Sequence, residues 1–172
     1  MGLQATLGFH ADGPNPVQRG MQSVAQTKQG SWFFQRTLYR VDRPVYRWTG
    51  GRLMLSTVAA GLPVIMLTST GAKSGQLRTM PVMGVPLGED IALLGTNFAQ
   101  PSAPAWSFNL AANPQATAAY RDRTATVIAR AATDEEREAV WVKATELYSG
   151  FAKYRQRITE RPVRIFVLEV AP

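Results

Sequence analysis

Lys73, Ser74 and Arg78 offer the plainest chemistry in this chain, and they fall within "LTSTGAKSGQLRTMPV" (67–82). Two cations, a hydroxyl and a glycine-rich turn with free backbone N–H groups suit an anionic ligand. The order looks like a nucleotide loop, but a Walker A loop needs G-x-x-x-x-G-K-[ST] ahead of a helix. Here Gly71 is followed by Ala72, Lys73, Ser74 and Gly75, and both flanks read as strands. The segment is therefore expected to be a hairpin turn, with Gly71 and Gly75 supplying positive φ. Spacing alone leaves two readings: a merely solvated turn, or a clamp that sets Lys73, Ser74 and Arg78 on one side.

A second group is aromatic. "APAWSFNL" carries Trp106, Phe108 and Asn109, and "LYSGFAKYR" places Tyr148, Phe151 and Tyr154 three apart, beside Lys153, Arg155 and Arg157. Such spacing fits helix packing, and it also fits the wall of a flat-ring pocket. Other chemistries are excluded. The chain has no cysteine, which rules out disulfides and thiol nucleophiles. Its single histidine, His10, makes a His-based metal site or a catalytic triad untenable, and no metal is expected.

The elements that must hold these groups are legible in the pattern. The 172 residues, 45% apolar and 18% charged, suit one folded domain. Residues 1–30 are rich in Gly, Pro, Gln and Asn and read as a flexible leader, with 31–172 as the domain. "MGLQAT" fits the loose myristoylation pattern through Gly2 and Thr6, a pattern that arises often by chance. The net charge is +7, and residues 1–60 hold seven of the 19 basic residues but two of the 12 acidic ones. Phe34, Leu38, Val41, Val45 and Trp48 alternate with Arg36, Arg40, Arg43 and Arg47, so 31–49 reads as an amphipathic helix. It packs on the domain or lies on an anionic membrane surface. No nucleic-acid motif accompanies it.

From residue 63 the signals are β-rich. Strands are expected at 63–70, 77–87, 91–97, 115–120, 124–131 and 161–170, with Pro81 and Pro86 marking an edge or bulges. Helices are expected at 101–114 and 133–148, the second opened by a Thr133/Glu136 capping box. No βαβ rhythm appears. The fold class is mainly β (α+β): a small antiparallel barrel with two to three peripheral helices.

The runs "PVIMLTSTGAKSGQLRTMPV", "APAWSFNLAANP", "ATDEEREAVW" and "LYSGFAKY" resemble the deazaflavin-dependent nitroreductase family of actinobacteria, over about residues 32–172. The resemblance implies an FMN-binding-like split β-barrel and coenzyme F420, a deazaflavin with an anionic tail. It places Lys73, Ser74 and Arg78 on that tail, with Ala72 and Gly75 in the same turn and Thr79, Met80 and Pro81 continuing along the cofactor. Leu94, Gly95, Thr96 and Asn97 would border the ring. Ala105, Trp106, Asn109 and Phe151 would lie beside it, and Trp106, Tyr148, Phe151 and Tyr154 would line the substrate pocket.

This chain departs from the family at three positions. Ala72 stands in place of an arginine, Asn97 in place of a lysine, and Phe151 in place of a tyrosine linked to nitroimidazole activation. The implied activity is hydride transfer from reduced deazaflavin to a quinone, an activated alkene or a nitro compound. Thr96, Tyr148, Tyr154 or water would supply the proton. The alternatives are a non-catalytic deazaflavin or lipid carrier and a basic membrane-surface module. FMN is the alternative cofactor, which composition does not separate from F420. The expected location is cytoplasmic, peripheral on the inner face of the cell membrane.

Overall fold

The structure, a computed structural model, describes residues 1–11, 13 and 61–172. The amphipathic segment 31–49 and most of the expected leader lie outside the described residues. Six strands form a closed antiparallel barrel: β1 (Val64–Thr70), β2 (Leu77–Leu87), β3 (Asp90–Leu94), β4 (Gln115–Tyr120), β5 (Arg123–Ala131) and β6 (Ile165–Val170). Their order round the barrel is β1-β2-β3-β6-β5-β4, with β4 closing onto β1. This is the antiparallel barrel expected from the pattern, and the split-barrel class that the resemblance implies. Two strands are shorter than expected by more than one residue. The third stops at Leu94, because the backbone turns left-handed after Thr96, and the last begins at Ile165.

The prolines of β2 have a simple accommodation. Leu77–Met83 pairs with β1, and Gly84–Leu87 pairs with β3. Pro81 and Pro86 therefore each sit in a half that pairs on one side among the described residues. Neither ring interrupts a two-sided ladder.

Residues 1–11 do not behave as a leader. A short helix, α1 (Leu3–Leu7), ends at Gly8 in the left-handed conformation. Leu3, Leu7 and Phe9 are buried among Ile65, Ile91, Val127 and Leu168 inside the barrel. The composition of 1–30 hides this, because three apolar side chains are diluted by the Gly/Pro/Asn residues that follow. Gln4 fixes the segment: its Nε2 donates to the Gly88 and Asp90 carbonyls at 3.0 and 2.7 Å. A Cβ on Gly2 would stand 2.2 Å from the Glu89 Cβ, and the Thr6 hydroxyl donates to the Gly2 carbonyl. Both letters of the myristoylation pattern thus have a packing reason.

Three helices follow: α2 (Ala105–Ala112), α3 (Asp134–Leu147) and α4 (Gly150–Arg157). Strand register places α1 at the end of the barrel that carries the β2–β3 turn. α2 sits at the opposite end, by the β1–β2 hairpin, and contributes Trp106 and Leu110 to the core.

The capping box of α3 is formed. The Thr133 amide donates to the Glu136 carboxylate at 2.8 Å, and Glu136 N–H donates to the Thr133 hydroxyl. Arg130 adds a fork onto the same carboxylate at 2.7 Å and reaches Glu169 on β6 at 2.6 Å. Arg130 and the cap hold the Glu136 carboxyl down to about 2 from an ordinary 4.5. Its folded value lies below its unfolded one. The added stability is therefore complete above pH 4.5 and disappears as pH falls towards 2. Discounted for solvent exposure, we expect roughly 1–2 kcal/mol from this carboxylate. Urea melts of the parent and Glu136→Gln at pH 7 and pH 3 check this: the gap between them should narrow in acid, and a constant gap would refute the linkage.

Candidate functional site

The "TGAKSGQLR" segment is the β1–β2 hairpin. The Gly71 amide donates to the Gln76 carbonyl and the Gly75 amide to the Gly71 carbonyl, both at 2.8 Å. Gly75 has φ +63°, which glycine tolerates freely. Gly71 keeps room for the Ser74 hydroxyl, which would lie 2.7 Å from a Cβ there. Ala72, Lys73, Ser74, Gly75, Arg78 and Thr79 are all exposed. Among the described residues, neither Lys73 nor Arg78 pairs with a carboxylate; Arg78 donates only to the Gln76 amide oxygen, at 3.1 Å.

One buried residue sets the position of this hairpin. Asn109 on α2 accepts from the Ala72 amide at 3.0 Å and donates to the Ser69 hydroxyl at 3.2 Å. Ser69 and Asn109 are both buried, so each needs the other as a partner. Ser69 pairs across the ladder with Arg78. The turn, both cations and α2 are thereby held as one unit. Thr68 and Thr79 share a hydroxyl contact of 2.8 Å on the opposite face, and Met80 packs on the core beside half-buried Pro81.

The aromatic residues separate into two places. Trp106 lies inside the barrel, edge-on to Phe166 at 6.2 Å. Tyr148, Phe151 and Tyr154 lie outside the wall with Trp141, Leu94, Val140 and Ile165. Their rings meet at 5.7–6.1 Å. Leu93 and Leu94 belong to the two different clusters, as alternation along β3 requires. Gly150 lets the chain turn back here, since a Cβ on it would stand 2.3 Å from the Tyr148 ring. Burial, then the neighbouring Tyr154, pushes the Tyr148 phenol well above its ordinary value.

The segment after β3 borders both groups. Leu94, Gly95 and Thr96 are buried, and Asn97 is half-buried. A Cβ on Gly95 would stand 3.5 Å from Pro104, the residue that caps exposed Ala105 at the start of α2. Ala99 packs on the tyrosine cluster. Asn97, Phe98 and Ala99 all have positive φ, each costing about 1 kcal/mol or more. Asn97 Nδ2 donates to the Ser102 carbonyl at 2.9 Å. Arg161 donates to the carbonyls of Gly95, Thr96 and Gln100 at 2.9–3.3 Å. Nothing in the sequence singles out Arg161 or Gly150: each depends on contacts that follow only from the folded chain.

An open groove of about 710 Å³ runs along α3 and α4, lined by Trp141, Val142, Thr145 and Arg155 among others. It shares only Trp141 with the aromatic cluster and no residue expected to bind cofactor. Among the described residues no group of His, Asp and Glu could hold a metal ion, and no helix is long and apolar enough to cross a membrane.

Comparison with known proteins gives a consistent result. The profile of a family described as F420H(2)-dependent quinone reductase matches residues 38–170. An F420H(2)-dependent quinone reductase of Mycobacterium tuberculosis is 28% identical over 134 residues, covering 76% of this chain and 89% of the relative. A putative F420H(2)-dependent quinone reductase of Mycobacterium bovis matches equally. Among solved structures, an F420-H2 dependent reductase (FDR-A) superposes with a TM-score of 0.57 at 35% identity, over 62% of this chain and 94% of that one. A chain described as a domain-swapped dimer gives 0.59 at 30% identity, over 83% and 100%.

Proposed function

Because the chain belongs to the F420H(2)-dependent quinone reductase family, we propose that it passes a hydride from reduced coenzyme F420 to a lipophilic quinone. It is an oxidoreductase, and coenzyme F420 is its cofactor. The observation that carries the reading of the site is the exposed cationic hairpin pinned by Asn109. Lys73 and Arg78 lack carboxylate partners among the described residues, and Ser74 stands between them; this donor set fits a polyanionic tail.

Bound, the cofactor supplies the hydride; the rest is done by this chain's residues. Lys73, Ser74 and Arg78 bind the tail, with Thr79 to Pro81 along its path. The Leu94–Asn97 backbone would border the deazaflavin, with Trp106 and Asn109 fixing the helix beside it. Tyr148, Phe151 and Tyr154 form the acceptor wall. Buried Tyr148 stays protonated throughout the working range, so it donates a hydrogen bond to an acceptor oxygen more readily than it ionises. Thr96, Tyr154 or water then completes proton delivery. Phe151 brings no proton, which favours quinones over nitroimidazoles as acceptors. Segment 31–49 would bring the enzyme to the membrane that holds such quinones.

Titration with F420, followed by turnover of reduced F420 with a menaquinone analogue, an enone and a nitroimidazole, tests this reading. We expect tight F420 binding, with quinone turnover fastest. A Kd above roughly 100 µM defeats the cofactor assignment at this site. Tight binding without turnover leaves a carrier, and displacement of F420 by FMN at equal concentration would favour the other flavin.

A further inference from the structure

Three consecutive residues in the left-handed region need support from outside their own segment. Asn97, Phe98 and Ala99 have φ of 49°, 53° and 59°, and none is glycine. The support comes from the chain that leads into β6. Arg161 Nη1 donates to the Gly95 carbonyl at 3.1 Å, and Nη2 donates to the Thr96 carbonyl at 2.9 Å. Nε and Nη2 both donate to the Gln100 carbonyl, at 3.3 and 3.2 Å. These three carbonyls bracket the turn on both sides. From the same strand approach, the Arg164 carbonyl accepts from the Gly95 amide at 2.8 Å. Among the described residues no carboxylate pairs with Arg161, so its fork is committed to backbone. A planar guanidinium can span three carbonyls; an ammonium acts as a single point donor.

We propose that Arg161 is a positioning residue: it locks the 95–100 turn in its left-handed form, and so fixes the Gly95–Asn97 backbone edge offered to the deazaflavin. This rests on the functional reading above. Arg161 touches no reacting atom; it acts through the turn. Losing the lock frees the turn to relax to ordinary φ and withdraws that edge.

The test uses the full chain with Arg161→Ala, Arg161→Lys, Ala99→Gly alone, and Arg161→Ala combined with Ala99→Gly. Read-outs are the F420 Kd, kcat and KM for quinone, the melting midpoint, and amide exchange at Ala99 and Gln100. Those amides donate within the turn, to Thr96 and Asn97 carbonyls. Arg161→Ala should raise the F420 Kd about tenfold, with kcat at saturation falling less. Exchange at Ala99 and Gln100 should accelerate in step, while the melting midpoint moves by a few degrees. Arg161→Lys should recover only part of the loss. Ala99→Gly should recover at least about threefold of the Kd in the alanine background and leave the parent within twofold, because glycine accepts positive φ without strain.

Unchanged exchange in Arg161→Ala overturns the lock. Accelerated exchange with unchanged Kd overturns its link to the cofactor. Full rescue by lysine without rescue by glycine reduces the role to charge and overturns positioning. A parent that binds no F420 overturns the functional reading instead, and the lock is still decided by exchange.

Discussion

Deleting residues 1–9 leaves a chain that does not hold its barrel at room temperature. The expectation follows from what those residues bury. Leu3 and Leu7 are 0% and 1% exposed, and Phe9 is 5% exposed against Tyr120 with ring centroids 5.0 Å apart. At about 1.5–3 kcal/mol for each large apolar side chain, the three contribute on the order of 5–9 kcal/mol. That approaches the entire stability of an ordinary domain, about 5–15 kcal/mol. The loss is not recoverable by collapse. Gly84 is held without a side chain where a Cβ would meet the Phe9 ring at 2.9 Å, so the wall is shaped round the missing residue. Leu7→Ala gives a graded version, expected at about 2–5 kcal/mol. Urea melts followed by far-ultraviolet circular dichroism measure both. A truncated chain that unfolds within about 1 kcal/mol of the parent would show that the segment merely rests on the barrel.

Replacing Lys73 and Arg78 together by glutamine should weaken F420 binding by roughly 2–4 kcal/mol, a factor of about 30 to 1,000 in Kd. The two side chains are exposed and carry no structural ion pair among the described residues, so their removal should leave the melt almost unmoved. That separation makes the result easy to read. The affinity of the parent should fall as salt rises, because exposed charges are screened, and the double variant should have a flatter salt dependence. Isothermal titration at two ionic strengths gives both quantities. Equal affinity for parent and variant would detach the hairpin from the anionic tail. Ala72 sharpens the expectation. Its side chain carries no charge and its amide is already spent on Asn109, so this position adds no support to the two cations.

The barrel was legible because its strands are marked by local signals. Alternation along β4 and β5, the two-residue turn between them, and the Thr133/Glu136 box are each written in a few adjacent letters. The cationic turn was legible for the same reason: glycines and cations crowd into nine residues. What the sequence did not disclose rests on distant partners. Leu3, Leu7 and Phe9 are ordinary apolar letters in a Gly-rich setting, and only the open end of a barrel makes them core. The third strand ends three residues before its apolar pattern suggests, since nothing in "LLGTNFA" announces a left-handed turn. Its conformation is imposed by Arg161, more than 60 positions away. Trp106 and the tyrosines share their chemistry in the sequence, whereas β3 places them on opposite sides of its wall.

The plug at the end of the barrel also sets the order in which the molecule can assemble. Leu3 and Leu7 belong to the same core cluster as Leu168, and β6 is paired to both β3 and β5. On the ribosome, residues 1–9 emerge long before the strand that completes their socket. They pack on β3, β5 and β6, so their socket is complete only once β6 has been made. Such non-local topology folds slowly and exposes apolar surface meanwhile. We therefore expect yield in a cell to depend on what shelters residues 1–9 during synthesis, as well as on the strength of the finished barrel.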